Sequence, residues 1–489
     1  MEGTATVVGS GPNGLTAAVL LARSGLDVTV LEATAHVGGA ASSHRPFSGD
    51  EVVDRGSAVL PFAAASPALR SLGLERHGLE WVHPELPVAH PLDDGPAALL
   101  PRDLDEAVDA LGADGRRWRA LVGSAVRDWE LLVPALLGPL LRVPPTVLPP
   151  VLFGLRGAWP ASVLARLLRT EQVRALLAGM AAHAVQPLHH PVTGGVGLLF
   201  GAAAHTTGWP VARGGTQAVA DALVAELVAH GGRVLVGRRV GALDEARHAD
   251  GRRADVVLLD LTPRQLLGVL GDEAPPRYRR RLERWRYGPA AHKVDYLLDG
   301  PVPWADERVG AAGTVHLGGT FDEVAAAEAD VVAGRQPERP FVLLAQQSLA
   351  DPTRTTSGRQ VVWAYAHTPP GGGDGRGGER VDAQVERFAP GFRDRVLERV
   401  ETAPAGLEAW DANLVGGTVG GGSMDLRQQL ARPVLSPEPY RTPVDGVYVC
   451  SASTPPGGGV HGMCGAHAVD VALRDLARRR RPGPSRTLV

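Results

Sequence analysis

TATVVGSGPNGLTAAVLLARSGLDVTVLE, residues 4–32, sets how the chain begins. Residues 4–8 are short and β-rich, 14–24 read as a helix of Leu and Ala, and 27–32 alternate back to a strand. Between the first strand and the helix, Gly9, Gly11 and Gly14 stand in GxGxxG spacing around Pro12 and Asn13. Gly9 permits the tight turn, Gly11 lets backbone approach a pyrophosphate, and Gly14 lets helix and strand pack closely. The helix N-terminus then faces the negative charge. Glu32 closes the second strand 18 residues beyond Gly14, followed by Ala33, where a carboxylate accepts from ribose hydroxyls. A lone GxGxxG carries little weight. The strand–turn–helix–strand context gives it force.

Two further glycine stretches extend the reading. His36-Val37-Gly38-Gly39-Ala40-Ala41-Ser42-Ser43 places a second glycine pair just after the acidic residue, which a plain NAD unit does not need. In two-dinucleotide flavoproteins such a pair lets the chain fold back over pyrophosphate and ribityl. At the other end, VDGVYVCSASTPPGGGVHGMCGAHAVDVAL (444–473) reads as strand, glycine turn and helix start. Its exposed N–H groups suit the flavin N1/C2=O region, where negative charge collects in the reduced state.

Composition narrows the class. The chain has 489 residues, 44% hydrophobic, with mean hydropathy near zero, as expected of two to four globular domains. Net charge of −3 gives no reason to expect nucleic acid as a partner. The sequence lacks Ile and has one Lys (Lys293) and two Asn (Asn13, Asn413), a skew fitting GC-rich coding. With only Cys450 and Cys464 and no CxxC, a redox dithiol is excluded and a disulfide framework implausible. No signal peptide and no apolar run of about 18 residues is found, so a cytoplasmic location is expected. No metal-ligand spacing occurs, and no second GxGxxG follows a strand: GGVGLLFG (194–201) and GGTVGGGS (416–423) lack that context.

Together the pieces resemble the phytoene desaturase-like branch of FAD oxidoreductases, which includes pyridine nucleotide-disulphide oxidoreductase domain-containing and phytoene dehydrogenase-related proteins. The matching stretches are VVGSGPNGL, LEA with VGG, WPVARGGTQAVADAL (209–223) and RWRYGPAAHKVDYLLDGPVPW (284–304), then DPTR (351–354), WAYAHTPPG, NLVGG and PGGGVHGMCG. The resemblance implies non-covalent FAD held by Gly9, Gly11, Pro12, Asn13, Gly14, Glu32, Ala33, Gly38, Gly39 and Ala40. It adds Gly214 and Gly215 in the middle, Val240 near the adenine, and Ser451, Gly459, Val460, His461 and Met463 near the flavin. Ser451 stands where relatives usually have Gly, Pro455-Pro456 replaces their His-Pro, and the hairpin region after Val240 is short. The implied fold is α/β: a Rossmann-like FAD-binding domain of the two-dinucleotide-binding type, with an inserted mixed α+β substrate domain. The expected division assigns 1–75, 195–270 and 410–480 to the FAD domain and 76–194 and 271–409 to the substrate domain. A basic disordered tail is expected over 481–489.

The implied activity is dehydrogenation of a lipophilic or cyclic small molecule, with a C–H bond aimed at flavin N5 and a base for the companion proton. Amine oxidase-like oxidation of a C–N bond and a flavin-binding scaffold role stay open. So do the electron acceptor (oxygen, a quinone or another carrier) and the oligomeric state. His461, in the glycine turn, is the first catalytic candidate. Lys293 either anchors a water under N5 or pairs with Asp295. His189, His190, His205 and His316 are candidate pocket residues. Residues 129–168 carry one acid, Glu130, and three Arg among aliphatic runs broken by Pro pairs at 144–145 and 149–150. Two readings stand: a mouth dipping into a bilayer surface, aided by Arg at 478–481, or short helices roofing a soluble cavity. The interrupted runs weigh toward the roof.

Overall fold

The computed structural model describes residues 3–139, 146–355 and 358–480. The expected tail at 481–489 and the Pro pair at 144–145 lie outside them. Thr4–Val8 pairs in parallel with Asp27–Leu31 on one side and Val256–Leu259 on the other. Val447–Val449 and Arg233–Leu235 complete a five-stranded, all-parallel sheet as its edges. Such a sheet must be covered on both faces. On one, Pro12–Arg23 packs between Gln217–Ala229 and the C-terminal helix Met463–Arg480, with Leu15, Val19, Leu223, Val469 and Leu476 in one core. The helix contact is close because Gly465 has no side chain: a Cβ there would stand 2.1 Å from the Asn13 carbonyl oxygen.

The second sheet has seven strands, in the order Val396–Thr402, Ala290–Leu298, Gln360–Thr368, Val342–Ala345, Ala312–Leu317, Leu86–His90, Ala98–Leu100. All neighbours are antiparallel except Ala312–Leu317 with Leu86–His90. Ala290–Leu298 is buried along its whole length. Val294, Tyr296 and Leu298 face one core with Phe388 and Phe392, so the alternation turns Lys293, Asp295 and Leu297 to the other face. Helices Gly115–Arg127, Glu171–Ala182 and Thr193–His205 form a layer around Trp118 and Leu176.

The edge strand Arg233–Leu235 stops short of Val240, because the Gly237 and Arg238 N–H groups turn to the Thr34 and Glu32 carbonyls, both at 2.7 Å. The expected hairpin after Val240 is a short helix, Leu243–Arg247. The stretch 76–125 supplies two strands of the second sheet beside its helices. Pro149 and Pro150 open the helix Leu148–Gly157, where a missing N–H costs nothing. Thr193–His205 packs against Glu171–Ala182 and Gly115–Arg127.

Candidate functional site

A cavity of about 1080 Å³ opens along the carboxyl ends of the parallel strands, the usual ligand position in such a sheet. Gly9, Gly11, Pro12 and Asn13 form its floor. Gly9 needs its φ of +101° to make the turn, and a Cβ on Gly14 would stand 2.3 Å from the Gly9 carbonyl oxygen. Glu32, Ala33 and Val240 line one end; Gly39 and Ala40 line the wall; Ser451, Gly459 and Val460 line the other end.

Glu32 is fixed before any ligand arrives. Its Oε2 accepts from Ser10 N–H (3.0 Å) and Ser10 Oγ (2.6 Å), and its Oε1 from Thr34 N–H (2.8 Å) and Oγ1 (2.9 Å). Asn413 pins the opposite wall: its Nδ2 donates to the Asp260 carbonyl and its Oδ1 accepts from Thr262 N–H, both at 2.9 Å.

Other expected residues lie behind the lining. Gly14 and Gly38 shape the turn, with Gly38 N–H donating to the Ser10 carbonyl at 3.0 Å. Gly214 and Gly215 serve a buried charge knot instead of the cavity. Gly214 N–H donates to Asp351 Oδ2 (2.6 Å), and a Cβ on Gly215 would meet Ser43 Oγ at 2.4 Å. Met463 packs with Trp129 and Leu132. His461 is buried, and its Nδ1 accepts from Met463 N–H at 3.1 Å, capping the last helix. Burial and the nearby His467 lower its pKa to about 4. His316 and His205 face inward partners, His183 Nε2 at 3.1 Å and Trp118 Nε1 at 2.8 Å. His189 and His190 stack edge to face at 4.8 Å.

The structure brings together residues that sequence reasoning passed over. Ser43–His44 pairs with Val53–Asp54 in a small hairpin along the cavity. His44 lines the cavity, and its buried Nε2 faces Asp295 Oδ2 at 4.0 Å. Burial, Lys293 and Arg55 lower its pKa to about 4, so the imidazole is neutral near pH 7. Lys293 and Asp295 form a buried ion pair behind it; desolvation lowers the ammonium pKa and raises the carboxyl pKa. Arg55 also lines the cavity, 5.6 Å from the Trp410 ring centroid. Only the position of His44 just after the GGAASS run hinted at this arrangement.

A dinucleotide fits this cradle on two observations. A side chain at Gly11 would fill it, and Asn13 Oδ1 is buried on its wall without a hydrogen-bond partner. The volume lies just above the usual range of ligand pockets, about 300–1,000 Å³, as suits a ligand as long as a dinucleotide. Fold and cavity therefore define a dinucleotide-binding, Rossmann-like protein. Residues 7–72 match the family described as NAD(P)-binding Rossmann-like domain. Across 97% of this chain and 94% of the relative, it is 26% identical to pyridine nucleotide-disulfide oxidoreductase domain-containing protein 2 of Rattus norvegicus. Hydroxyneurosporene desaturase of Cereibacter sphaeroides is also 26% identical, over 97% of this chain and 98% of that one. The fold matches an oxidoreductase from Methanosarcina mazei (TM-score 0.64, 16% identity, 96% of this chain and 100% of that one). It also matches putrescine oxidase (TM-score 0.60, 16% identity, 98% and 100%). Over nearly its whole length the chain is thus similar to a protein named for an oxidoreductase domain and to a desaturase. Cys450 and Cys464 are buried free thiols.

Proposed function

We propose that the chain is an FAD-dependent dehydrogenase that removes two hydrogens from a lipophilic or cyclic small molecule. The carrying observation is the continuity of the cavity, which runs from Glu32 and Val240 past the GxGxxG turn to Gly459, Val460 and His44. That cavity carries a ribose-type acceptor at Glu32 and a neutral imidazole at His44. Gly9, Gly11 and the N-terminus of helix Pro12–Arg23 would hold the pyrophosphate, and Glu32 the ribose. The bound flavin would supply the hydride acceptor. His44 is placed to take the companion proton, because it is neutral, faces the cavity and has Asp295 behind its Nε2 to balance the charge gained. Lys293 in turn holds Asp295. Electrons would leave to oxygen, a quinone or another carrier. Purified protein should be yellow, with about one FAD per chain released by acid precipitation. A folded, colourless protein indifferent to added FAD would refute the cofactor reading. Anaerobic bleaching of the flavin by a fraction of a metabolite extract would identify the substrate; bleaching by dithionite alone would favour a flavin-binding scaffold.

A second element concerns delivery of a lipophilic substrate. Among the described residues no helix is long and apolar enough to cross a membrane. The helix Leu148–Gly157 nevertheless turns Leu148, Val151, Leu152 and Leu155 outward, which supports peripheral contact with a lipid surface.

A further inference from the structure

The dinucleotide cradle contains two carboxyl groups that sequence motifs did not indicate. Asp260 follows the strand Val256–Leu259, and its Oδ2 accepts from Gly14 N–H at 3.0 Å. A Cβ on Gly11 would stand 2.8 Å from that same oxygen. Asp411 follows the helix Pro404–Trp410. A Cβ on Gly39 would stand 3.6 Å from Asp411 Oδ2 and 3.2 Å from Gly11 Cα. Both acids line the cavity beside the glycine where the pyrophosphate must approach. Two ionised carboxylates there would oppose a doubly charged ligand.

We infer that Asp260 and Asp411 meet the pyrophosphate as neutral carboxylic acids, so that binding the dinucleotide takes up protons from solvent. The inference rests on the FAD reading above. A protonated Asp260 satisfies both neighbours: one oxygen keeps accepting from Gly14 N–H, and the O–H donates to a phosphate oxygen. The surroundings agree. Burial raises the Asp260 pKa to about 7; the Gly14 hydrogen bond opposes this, and the facing acids Asp411 and Glu32 add to it. Burial likewise raises Asp411, with Glu32 in the same direction and the Asn413 N–H against. The buried thiols Cys450 and Cys464 also feel Asp260. The cations on the cavity wall are Arg55, Arg238 and Arg239. A phosphate arriving beside the two acids raises both further.

The test is calorimetric titration of FAD into the apoprotein, in buffers of different ionisation enthalpy, at pH 6 and pH 8. Nearly two protons should be taken up per FAD at pH 8 and fewer at pH 6, with affinity at least 10-fold weaker at pH 8. Asp260→Asn keeps the shape, the acceptor for Gly14 and a donor for phosphate. It should bind FAD with reduced uptake and a flatter pH profile, and Asp411→Asn checks the second site in the same way. FAD binding with no proton uptake and equal affinity at both pH values overturns the inference alone, as does uptake unchanged in both variants. Failure of the wild type to bind FAD at either pH overturns the cofactor reading and this inference with it.

Discussion

The Arg354 guanidinium donates to the Asp54 carboxylate at 2.6 Å, with both side chains fully buried. Arg354 also reaches Asp351 at 3.2 Å and the Ala212 carbonyl at 3.0 Å, while Asp54 accepts from Thr216 N–H and Ser43 Oγ, both at 2.7 Å. This knot ties the hairpin bearing His44 to the Gly214–Gly215 turn and to the DPTR stretch. Arg354→Met leaves two buried carboxylates without their cation and should cost about 3–5 kcal/mol. Denaturant unfolding checks it; a loss under about 1 kcal/mol would show that water replaces the guanidinium.

Gly11 sits at φ −67°, so backbone strain does not demand a glycine there. Space does, because a Cβ would stand 2.8 Å from Asp260 Oδ2. Gly11→Val should therefore leave the fold intact and abolish FAD retention. Circular dichroism with flavin absorbance after desalting reads both; a yellow variant would remove Gly11 from the cradle.

Acid should unfold the protein through its buried imidazoles. Burial lowers the pKa of His90 and His461 to about 4 and of His183 to about 3, and holds His316 well below 6.5. The unfolded chain binds these protons first, so their stabilisation is full above pH 6.5 and is lost as pH falls toward 4. Each unit of displacement weighs about 1.4 kcal/mol. Asp260 acts with the opposite sign: its raised carboxyl pKa favours the folded state at low pH, and that contribution is lost as pH rises through about 7. With His44, also lowered to about 4, five imidazoles outweigh the three raised carboxyls Asp260, Asp295 and Asp411, so Tm should drop between pH 6.5 and pH 4.5. A flat Tm over that interval would contradict the burial of these side chains.

The dinucleotide half could be read from sequence because its signals are local. Gly9, Gly11, Gly14 and Glu32 lie within one strand–helix–strand unit, and the C-terminal glycine turn repeats that grammar. The second sheet resisted reading. Leu86–His90 and Ala98–Leu100 are too short to show a period, and only pairing with Ala312–Leu317 and with each other makes them strands. The same limit hid the site's other wall. His44 meets Asp295, and Asp54 meets Arg354, across 250 to 300 residues, and no spacing rule connects them. Gly214 and Gly215 were conspicuous in sequence for a reason the motif did not reveal: they accommodate the charge knot.

The last prediction concerns the outer face of Leu148–Gly157. Leu148 is 66% exposed and Leu155 65%, with Val151 and Leu152 between them and Trp159 just beyond. Phe153, on the same helix, is half-buried against the cluster that contains Trp129 and Met463. A helix apolar on both sides calls for cover. Arg156 and Arg166 stand exposed beside the patch, and no Asp or Glu occurs between Glu130 and Glu171, so the charge suits an anionic surface. The C-terminal arginines contribute less than their number implies, because Arg478 pairs with Asp475 and Arg480 with Asp255; residue 481 lies outside the described residues. The protein should pellet with anionic vesicles at low salt, release at high salt, and stay in the supernatant with zwitterionic ones. Leu148→Glu with Leu155→Glu should abolish pelleting while leaving bound FAD and Tm unchanged. If the wild type stays in the supernatant at low salt and light scattering shows a dimer that the double variant splits, the cover is a second copy. If neither occurs, the helix roofs the interior and the substrate arrives through water.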